Sequence, residues 1–477
     1  MLEHSTVAAG FIMPHPPIIV PGINPGPHEA EATVASMRQL AQTLDRLRPD
    51  TIVVISPHAP LFNDYVFFYD DRVLEGSFAR FGASQIKLSV RQDSELLQEI
   101  CRRCDQAGIP AGSLTPNQMR RYQLTSELDH GVLVPLWFLH EAYPAVKVVA
   151  MSCSGLPLAK VYQIGELIRQ SAAFLNRRIV VVASGDQSHK VNSASPYGSS
   201  PEGAQYDNLL VDCLRENDLP RLLAISGELR EKAAECGYRS IVMLCGAFSR
   251  RPVLTQMLSY EAPYGIGYCV ASLSPDPDQT EPVPDAFEAG LSGHRAQAAA
   301  RRRENQPPVV IARETLEAHV LGQPAKTMQD FADLPNFASL FQDRAGVFVS
   351  IHKAGELRGC IGTTGPTAPT LVEEIMRNAI SAGCRDPRFP SVEPDELPDL
   401  TYSVDVLGSP EPIVDIDLLD HTRFGVIVSS GRRSGLLLPD LAGVDSVDEQ
   451  LAIACRKAGI HPEEEYSIQR FTVTRYR

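Results

Sequence analysis

Three histidines follow short apolar runs, in the segments Met-Pro-His-Pro-Pro at 13–17, Ser-Pro-His-Ala at 56–59 and Ser-Gly-Asp-Gln-Ser-His at 184–189. The runs before the second and third, 53–55 and 179–182, consist of Val and Ile. A short apolar run stopped by Pro or Gly is typical of a buried strand leaving a sheet. In open α/β sheets, ligands bind beyond the carboxyl ends of strands. We therefore expect the histidines to converge on one crevice, where imidazoles are suitable ligands for a transition metal.

The elements that position these histidines alternate between strand and helix. The pattern predicts strands at 145–151 and 179–184, a helix at 158–176 between them, and a last strand at 266–272. Such alternation is typical of an α/β layered domain. Taken singly, a histidine after a strand is more often a hydrogen-bonded structural residue, so the metal hypothesis depends on their joint placement.

Composition limits the class of protein. A chain of 477 residues exceeds what one hydrophobic core usually spans, so two domains are expected. The net charge of −14 argues against nucleic-acid or anionic-membrane binding. No apolar run is long enough to cross a bilayer, and no basic segment precedes the first apolar run. Together with ten scattered cysteines, this predicts reduced thiols and a cytoplasmic location.

The composition changes between residues 275 and 306, which we predict to be a linker. Its first part is rich in Pro and Asp, and residues 294–305 are rich in Arg and Ala, as in a surface helix. We therefore assign residues 1–274 to a first domain and 307–477 to a second, smaller one. The second half mixes predicted strands at 345–352, 400–407, 425–429 and 468–475 with helices at 312–321, 370–384 and 446–458, which indicates an α+β fold.

Residues 8–272 resemble the LigB-like class III extradiol dioxygenases and their relatives, the Memo proteins. The matching motifs are Pro-His-Pro-Pro, Ser-Pro-His, Leu-Asp-His-Gly at 128–131, Ser-Gly-Asp-Gln-Ser-His and Glu-Cys-Gly at 235–237. The resemblance implies Fe(II), or another divalent metal, on a facial triad of two His and one carboxylate. It also implies O₂-dependent ring opening of a small aromatic substrate such as a catechol or an aminophenol.

The same resemblance assigns roles to individual residues. It implies His15 and His58 as imidazole ligands, Glu235 as the carboxylate, His189 as the acid/base residue and His130 as a second residue of the pocket.

The third ligand has an alternative in Cys236, because Memo-type relatives have a cysteine before the glycine. Successive residues of a strand or helix point in different directions, so only one of Glu235 and Cys236 readily faces the metal. We favour Glu235, since Fe(II) oxygenases use a carboxylate.

The second half, from about 308 onward, resembles the AMMECR domain. The motifs are Leu-Arg-Gly-Cys-Ile-Gly-Thr at 357–363, Asp-Pro-Arg-Phe-Pro at 386–390 and Gly-Leu-Leu-Leu-Pro at 435–439. Chains with both halves resemble the AmmeMemoRadiSam set, which implies a separate radical SAM partner, since this chain lacks a Cys-x3-Cys-x2-Cys motif. The function that we favour from the sequence is an Fe(II)-dependent extradiol-type dioxygenase. The alternatives are a metal-binding accessory protein without ring cleavage, and a scaffold whose AMMECR half binds a protein or nucleotide-like ligand. A homo-oligomer is also left open.

Five residues of the second half are candidates for a polar cleft that takes an anionic ligand: His352, Arg358, Cys360, Asp386 and Arg388. Structural salt bridges are an equally good interpretation of the charged ones. Cys360 has the chemistry of a nucleophile, but its strand-like position between two glycines favours a buried structural thiol.

Overall fold

The computed structural model divides the chain into two compact units, which are described separately. The first comprises residues 1–225 and 233–290, and the second comprises residues 226–232 and 291–477. The structure describes residues 6–23, 29–279, 281–303, 306–353, 355–431, 433–440, 444, 446–461 and 464–477, without the side chain of residue 297. None of the helices in these ranges is both long and apolar enough to cross a lipid bilayer.

The secondary structure follows the chain from an N-terminal strand to a C-terminal one. The strands are β1 Val7–Met13, β2 Thr51–Ser56, β3 Val66–Phe67, β4 Val73–Phe78, β5 Ala83–Arg91, β6 Ala111–Gly112, β7 Lys147–Ser152, β8 Ile179–Ser184, β9 Val253–Glu261, β10 Tyr268–Pro275, β11 Val347–Lys353, β12 Glu356–Gly362, β13 Leu400–Leu407, β14 Glu411–Ile413, β15 Gly425–Ser430, β16 Arg433–Leu437, β17 Ser467–Phe471 and β18 Val473–Tyr476. The α-helices are α1 Glu31–Leu47, α2 Ser94–Gln106, α3 Pro116–Arg121, α4 His130–Ala142, α5 Leu158–Phe174, α6 Pro201–Arg215, α7 Leu219–Leu223, α8 Gly227–Ala233, α9 Tyr238–Ala247, α10 Ala286–Arg301, α11 Pro307–Val320, α12 Phe337–Gln342, α13 Leu371–Cys384 and α14 Val447–Ala458.

The first unit is built on a six-stranded sheet in the order β7-β2-β8-β1-β10-β9. The strands β7, β2, β8 and β1 are parallel, whereas β10 and β9 are antiparallel additions at one side. Every residue of β1, β2 and β8 is buried, which explains why these strands have continuous apolar sequences instead of alternating ones. The mixed α/β sheet agrees with the α/β class expected from the sequence.

Helices cover the central strands. On one face α1 and α4 pack together, with Met37, Leu40 and Leu44 of α1 in the same core as Val54 and Val182. The spacing of three and four residues in α1 places these side chains on one helix face. The helix α9 packs against β8 and against α5. The parallel strands therefore end at a common, rigidly held edge.

The second unit contains two four-stranded sheets, ordered β12-β11-β13-β18 and β14-β17-β15-β16. The helices α11 and α13 cover one face of the first sheet, where Val349, Ile351 and Val404 are fully buried. The helix α14 packs on β15 and β16 of the second sheet around a separate small core. This mixture of antiparallel strands and helices agrees with the predicted α+β class.

One local prediction needs correction, and the predicted linker contains a helix. The stretch 468–475, predicted as one strand, is split at Thr472 into β17 and β18, which belong to different sheets. The predicted linker 275–306 contains the helix α10, which begins at Ala286 and buries Phe287 and Ala298. The sequence predicted a helix in the basic part of this range, at 294–305, and α10 covers 294–301 of it, while residues 280, 304 and 305 lie outside the described chain.

Candidate metal centre

The ends of three adjacent parallel strands form the centre of the site. The registers pair Met13 of β1 with Ser184 of β8, and Ile55 of β2 with Ala183 of β8. His15 therefore lies two residues beyond the end of β1, and His58 lies two residues beyond the end of β2. Because neighbouring parallel strands end at the same edge, the two imidazoles meet there, with their Nε2 atoms 3.0 Å apart.

The imidazole of His15 is held in one orientation by Ser184. The hydroxyl of Ser184 donates to the carbonyl of Gly131 at 2.5 Å, and its oxygen lies 3.0 Å from Nδ1 of His15. Since the single hydroxyl proton goes to Gly131, Nδ1 of His15 must be the donor to Ser184. Nε2 of His15 then carries a lone pair toward the crevice. A hydrogen-bonded Nδ1 with a free Nε2 is the usual arrangement of a metal-binding histidine.

Cys236 supplies a third donor atom. Its Sγ lies 3.6 Å from Nε2 of His15, and ligand atoms of His15, His58 and Cys236 all lie within 4.8 Å of one another. The turn that presents the thiol is fixed by the carbonyl of Asp186, which accepts from the backbone N–H of Cys236 at 3.4 Å and of Gly237 at 3.0 Å. The structure thus gathers two nitrogens and one sulfur.

Glu235, which we favoured as the third ligand, binds the backbone at the start of α9 in this structure. Its Oε2 accepts from the backbone N–H of Tyr238 at 2.7 Å, in the first turn of α9. A carboxylate there satisfies an otherwise unpaired amide and interacts well with the helix dipole. The adjacent positions point apart as expected, and the thiol, not the carboxylate, is grouped with the histidines.

His130 and His189 lie beside the donor atoms. The ring of His130, the first residue of α4, lies with its centroid 4.2 Å from that of His58 and 5.3 Å from that of His15. His189 stacks on Tyr197 with centroids 5.2 Å apart. On another side Phe81 contacts His130, with centroids 5.5 Å apart. His189 is also close enough to His15 and His58 to interact with their charges. The four histidines therefore form one cluster, with Phe81 against His130 and Tyr197 against His189.

Burial makes these imidazoles weak bases. It lowers the pKa of His15 well below the usual range, and the neighbouring histidines lower it further. Burial also lowers the pKa of His58, against the opposing effect of Asp129. For His130 and His189, burial and the charge of His58 lower the pKa to about 4. All four rings are therefore neutral at pH 7, which is the form that binds metals.

The pKa values of the acidic groups beside the histidines are raised instead of lowered. Burial raises the pKa of Asp186 to about 7, and it raises the pKa of the Cys236 thiol well above its usual range, with Asp186 and Glu235 adding to the effect. A buried thiol without a cation is expected to stay protonated, whereas a bound metal ion deprotonates a coordinating thiol. The donor set of two neutral imidazoles and one thiol fits a transition metal.

Several residues that shape the site were not identified from the sequence. Asp129 caps α4 by accepting from the backbone of Gly131 and Val132, and it also accepts from the hydroxyls of Ser56 at 2.6 Å and Tyr69 at 3.0 Å. Its position before His130 is a typical capping signal, but its partners are not predictable. Phe81 and Tyr197 come from distant loops without a motif.

The five cleft candidates of the second unit separate into two groups. His352 and Cys360 line a cavity, and Sγ of Cys360 lies 3.2 Å from Oγ of Ser350. Arg358 instead makes an ion pair with Glu396 and donates to the carbonyls of Pro390 and Ser391. Asp386 is paired with Arg388 and accepts from the N–H of Cys360, while Arg388 donates to the carbonyl of Cys360.

Comparison with known protein families shows which families the two halves of the chain match. Residues 9–271 match the family described as the catalytic LigB subunit of aromatic ring-opening dioxygenase, and residues 309–477 match AMMECR1. The chain therefore belongs to the LigB family and carries an AMMECR1 domain after it.

Individual relatives share this layout in whole or part. The chain is 35% identical to "Protein CA_C1420" of Clostridium acetobutylicum over 98% of both chains. It is 58% identical to a Thermotoga maritima protein over 29% of this chain and 80% of that one. Among solved structures, it is similar to uncharacterized protein PH0010 of Pyrococcus horikoshii, with 32% identity, a TM-score of 0.32, and coverage of 35% of this chain and 88% of that one.

Proposed function

We propose that the first unit binds one metal ion through His15, His58 and Cys236, and that the protein is a metal-binding accessory protein that works with a radical SAM partner. The observation that carries the metal proposal is the grouping of the Cys236 thiol, instead of a carboxylate, with the two histidines. Sulfur and imidazole donors favour zinc, copper or iron over magnesium or calcium. When bound, such an ion supplies Lewis-acid or one-electron chemistry.

The chain's own groups would prepare the site for such an ion. Ser184 orients the ring of His15, so that its Nε2 presents a lone pair, and the carbonyl of Asp186 fixes the turn of Cys236. His130 and His189 are neutral at pH 7 because burial lowers their pKa, so each ring has one nitrogen that can accept a hydrogen bond from a bound substrate and one that can donate.

The test is metal analysis after anaerobic purification. We expect the wild-type chain to bind one equivalent of metal, and the His58→Ala and Cys236→Ser variants to lose it while keeping their folded circular-dichroism spectrum. The matched control is Glu235→Gln, which keeps the helix-capping oxygen and should retain the metal. Full metal content in Cys236→Ser would refute the proposed ligand set.

Ring cleavage is the second candidate, and the LigB family match favours it. In that function Glu235 would be the third ligand of Fe(II), and His189 would act as acid/base residue toward a catechol- or aminophenol-like substrate. Iron-loaded protein should then consume O₂ with a panel of catechols, Glu235→Gln should lose iron, and His189→Phe should keep iron but lose turnover by roughly 10²–10⁴-fold. Iron binding without O₂ uptake would favour the accessory function.

The partner is proposed from the resemblance to the AmmeMemoRadiSam set and from the absence of a Cys-x3-Cys-x2-Cys motif in this sequence. The experiment is co-purification of the tagged full-length chain with a co-expressed radical SAM protein encoded in the same genome, followed by crosslinking. A pair that elutes separately at micromolar concentration would contradict a stable complex.

A further inference from the structure

The second unit contains a cavity of about 560 Å³ that the metal centre does not explain. The described residues that line it all belong to residues 226–232 and 291–477. Pockets that bind small organic molecules measure about 300–1,000 Å³. The cavity therefore has the size of a ligand site, and its walls define the ligand chemistry.

One wall is the polar face of the sheet β12-β11-β13-β18. Ser350 lies opposite Cys360 on one side and opposite Ser403 on the other, so a thiol and two hydroxyls form a row across three strands. Because side chains alternate along a strand, Val349 and Ile351 point into the core, while Ser350 and His352 face the cavity. Each of these polar groups can exchange hydrogen bonds with a ligand.

The next position of the same face carries an ion pair with a buried carboxylate and a half-buried guanidinium. Asp405 is opposite Arg475, whose Nε and Nη2 donate to the two carboxylate oxygens at 2.8 and 3.0 Å. This bidentate pairing fixes the plane of the guanidinium at the cavity wall. The pair thus presents oriented donors without a net charge.

A second part of the lining is apolar. It consists of Leu437 at the end of β16, the following Leu438, Val444, and Ile453 of α14. A ligand that fits both walls needs a flat or apolar body on one side and hydrogen-bonding groups on the other.

The charges of the lining nearly balance. In the described part of the chain it contains five carboxylates and four cationic side chains, namely Glu228, Glu231, Asp399, Asp405 and Asp440 with Lys232, Arg301, Arg475 and Arg477. Several are paired, since Asp399 binds Arg295 at 2.6 Å and Glu228 lies 3.5 Å from Arg477. A multiply charged ligand of either sign would meet like charges, so the balance favours an uncharged one.

We propose that this cavity binds an uncharged nucleoside, with the flat base against Leu437, Leu438 and Ile453 and the hydroxyls or base edges on the row Cys360–Ser350–Ser403. The backbone of Cys360 is held on both sides by the Asp386–Arg388 pair, which keeps the thiol at the wall. The described residues of this site belong to the second unit, whereas His15, His58 and Cys236 belong to the first.

Calorimetric titration of the full-length protein with adenosine, guanosine, cytidine and uridine tests the proposal, with their 5′-monophosphates in parallel. We expect at least one nucleoside to bind with a Kd below about 1 mM, and its monophosphate to bind more weakly. The Ser350→Ala and Ser403→Ala variants should each weaken binding about five-fold. Ser429→Ala is the matched control, because its hydroxyl contacts Ser434 outside the cavity lining.

Thiol protection gives a second measurement on the unmodified chain. Cys360 and Cys384 are both half-buried in this unit, but only Cys360 belongs to the described cavity lining. A saturating nucleoside should slow alkylation of Cys360 by iodoacetamide several-fold and leave Cys384 unchanged, as read by peptide mass spectrometry. Binding without protection, tighter binding of the monophosphates, or no binding by any nucleoside would each overturn the proposal.

Discussion

At the scale of single residues, Ser184 decides how His15 presents its ring. The hydroxyl donates to the carbonyl of Gly131, which forces Nδ1 of His15 to donate and leaves Nε2 with its lone pair. Such indirect contacts typically change metal affinity 10–100-fold. The serine therefore contributes to the site without touching the metal position.

Replacing this serine gives the first prediction. Ser184→Ala should weaken metal binding roughly 10–100-fold, because the His15 ring loses the partner that fixes its tautomer. The measurement is competition with a chromogenic chelator. Ser171→Ala is the control, since the Ser171 hydroxyl is also buried and donates to the carbonyl of Leu167 within α5. Equal affinities of the two variants would show that the Ser184 contact is without influence.

A second prediction concerns Asp207, a buried carboxyl that accepts from Tyr260 and from the N–H of Ser188. Burial raises its pKa from 3.8 to about 7. The folded state therefore holds the proton more tightly than the unfolded state. The raised pKa of Asp207 therefore increases the free energy of unfolding. This contribution is complete below pH 4 and is lost as the pH rises toward and through 7.

Between pH 5 and pH 7 this loss should amount to roughly 2 kcal/mol. In Asp207→Asn that part of the pH dependence should disappear, although the variant is less stable at acidic pH. Urea unfolding of both proteins at pH 5, 6 and 7 measures the difference. Asp212→Asn, on the same helix α6, is the control. Parallel stability curves for wild type and Asp207→Asn would contradict the raised pKa.

At the scale of elements, the loop after β8 must approach the start of α9 very closely for Cys236 to reach His15. A Cβ on Gly185 would lie 2.0 Å from the Cα of Gly237. The atoms that this Cβ would meet are backbone atoms of Gly237, which cannot move aside as a flexible side chain would. The two glycines thus allow the contact that brings the thiol to the histidines.

The third prediction follows from this contact. Gly185→Ala should push the Cys236 turn away and reduce metal binding at least ten-fold, because a shift of about 1 Å is enough to disrupt a metal site. Metal content per folded chain is the readout. Gly293→Ala is the control, since a Cβ at Gly293 meets nothing within 4 Å. Unchanged metal content in Gly185→Ala would show that the turn can adapt.

The elements also show what the sequence could and could not reveal. The strand 179–184 was predicted with its observed bounds, because a fully buried parallel strand has a continuous run of Val and Ile. The split at Thr472 could not be predicted, because a strand that changes sheets keeps its local strand propensity. The orientation of Cys236 and Glu235 depends on the turn held by Asp186, a contact between residues 50 positions apart.

At the scale of the whole molecule, each unit has its own hydrophobic core. Among the described residues, Met37, Leu40 and Val54 belong to a core within the first unit, whereas Val349 and Val428 belong to cores within the second. The proposed ligands His15, His58 and Cys236 all belong to the first unit. A ligand that binds only the folded form of one cooperative unit stabilises that unit.

We therefore predict two thermal transitions in calorimetry, of which the metal raises only one. At a free metal concentration 100 times the Kd, the stabilisation is about 2.7 kcal/mol. For a unit of this size that corresponds to an increase in Tm of roughly 5 °C. His58→Ala should remove the increase. Val404→Ala, which creates a cavity in the core under β13, should lower only the other transition and so identify it. An equal metal-induced shift of both transitions would mean that the two units unfold as one.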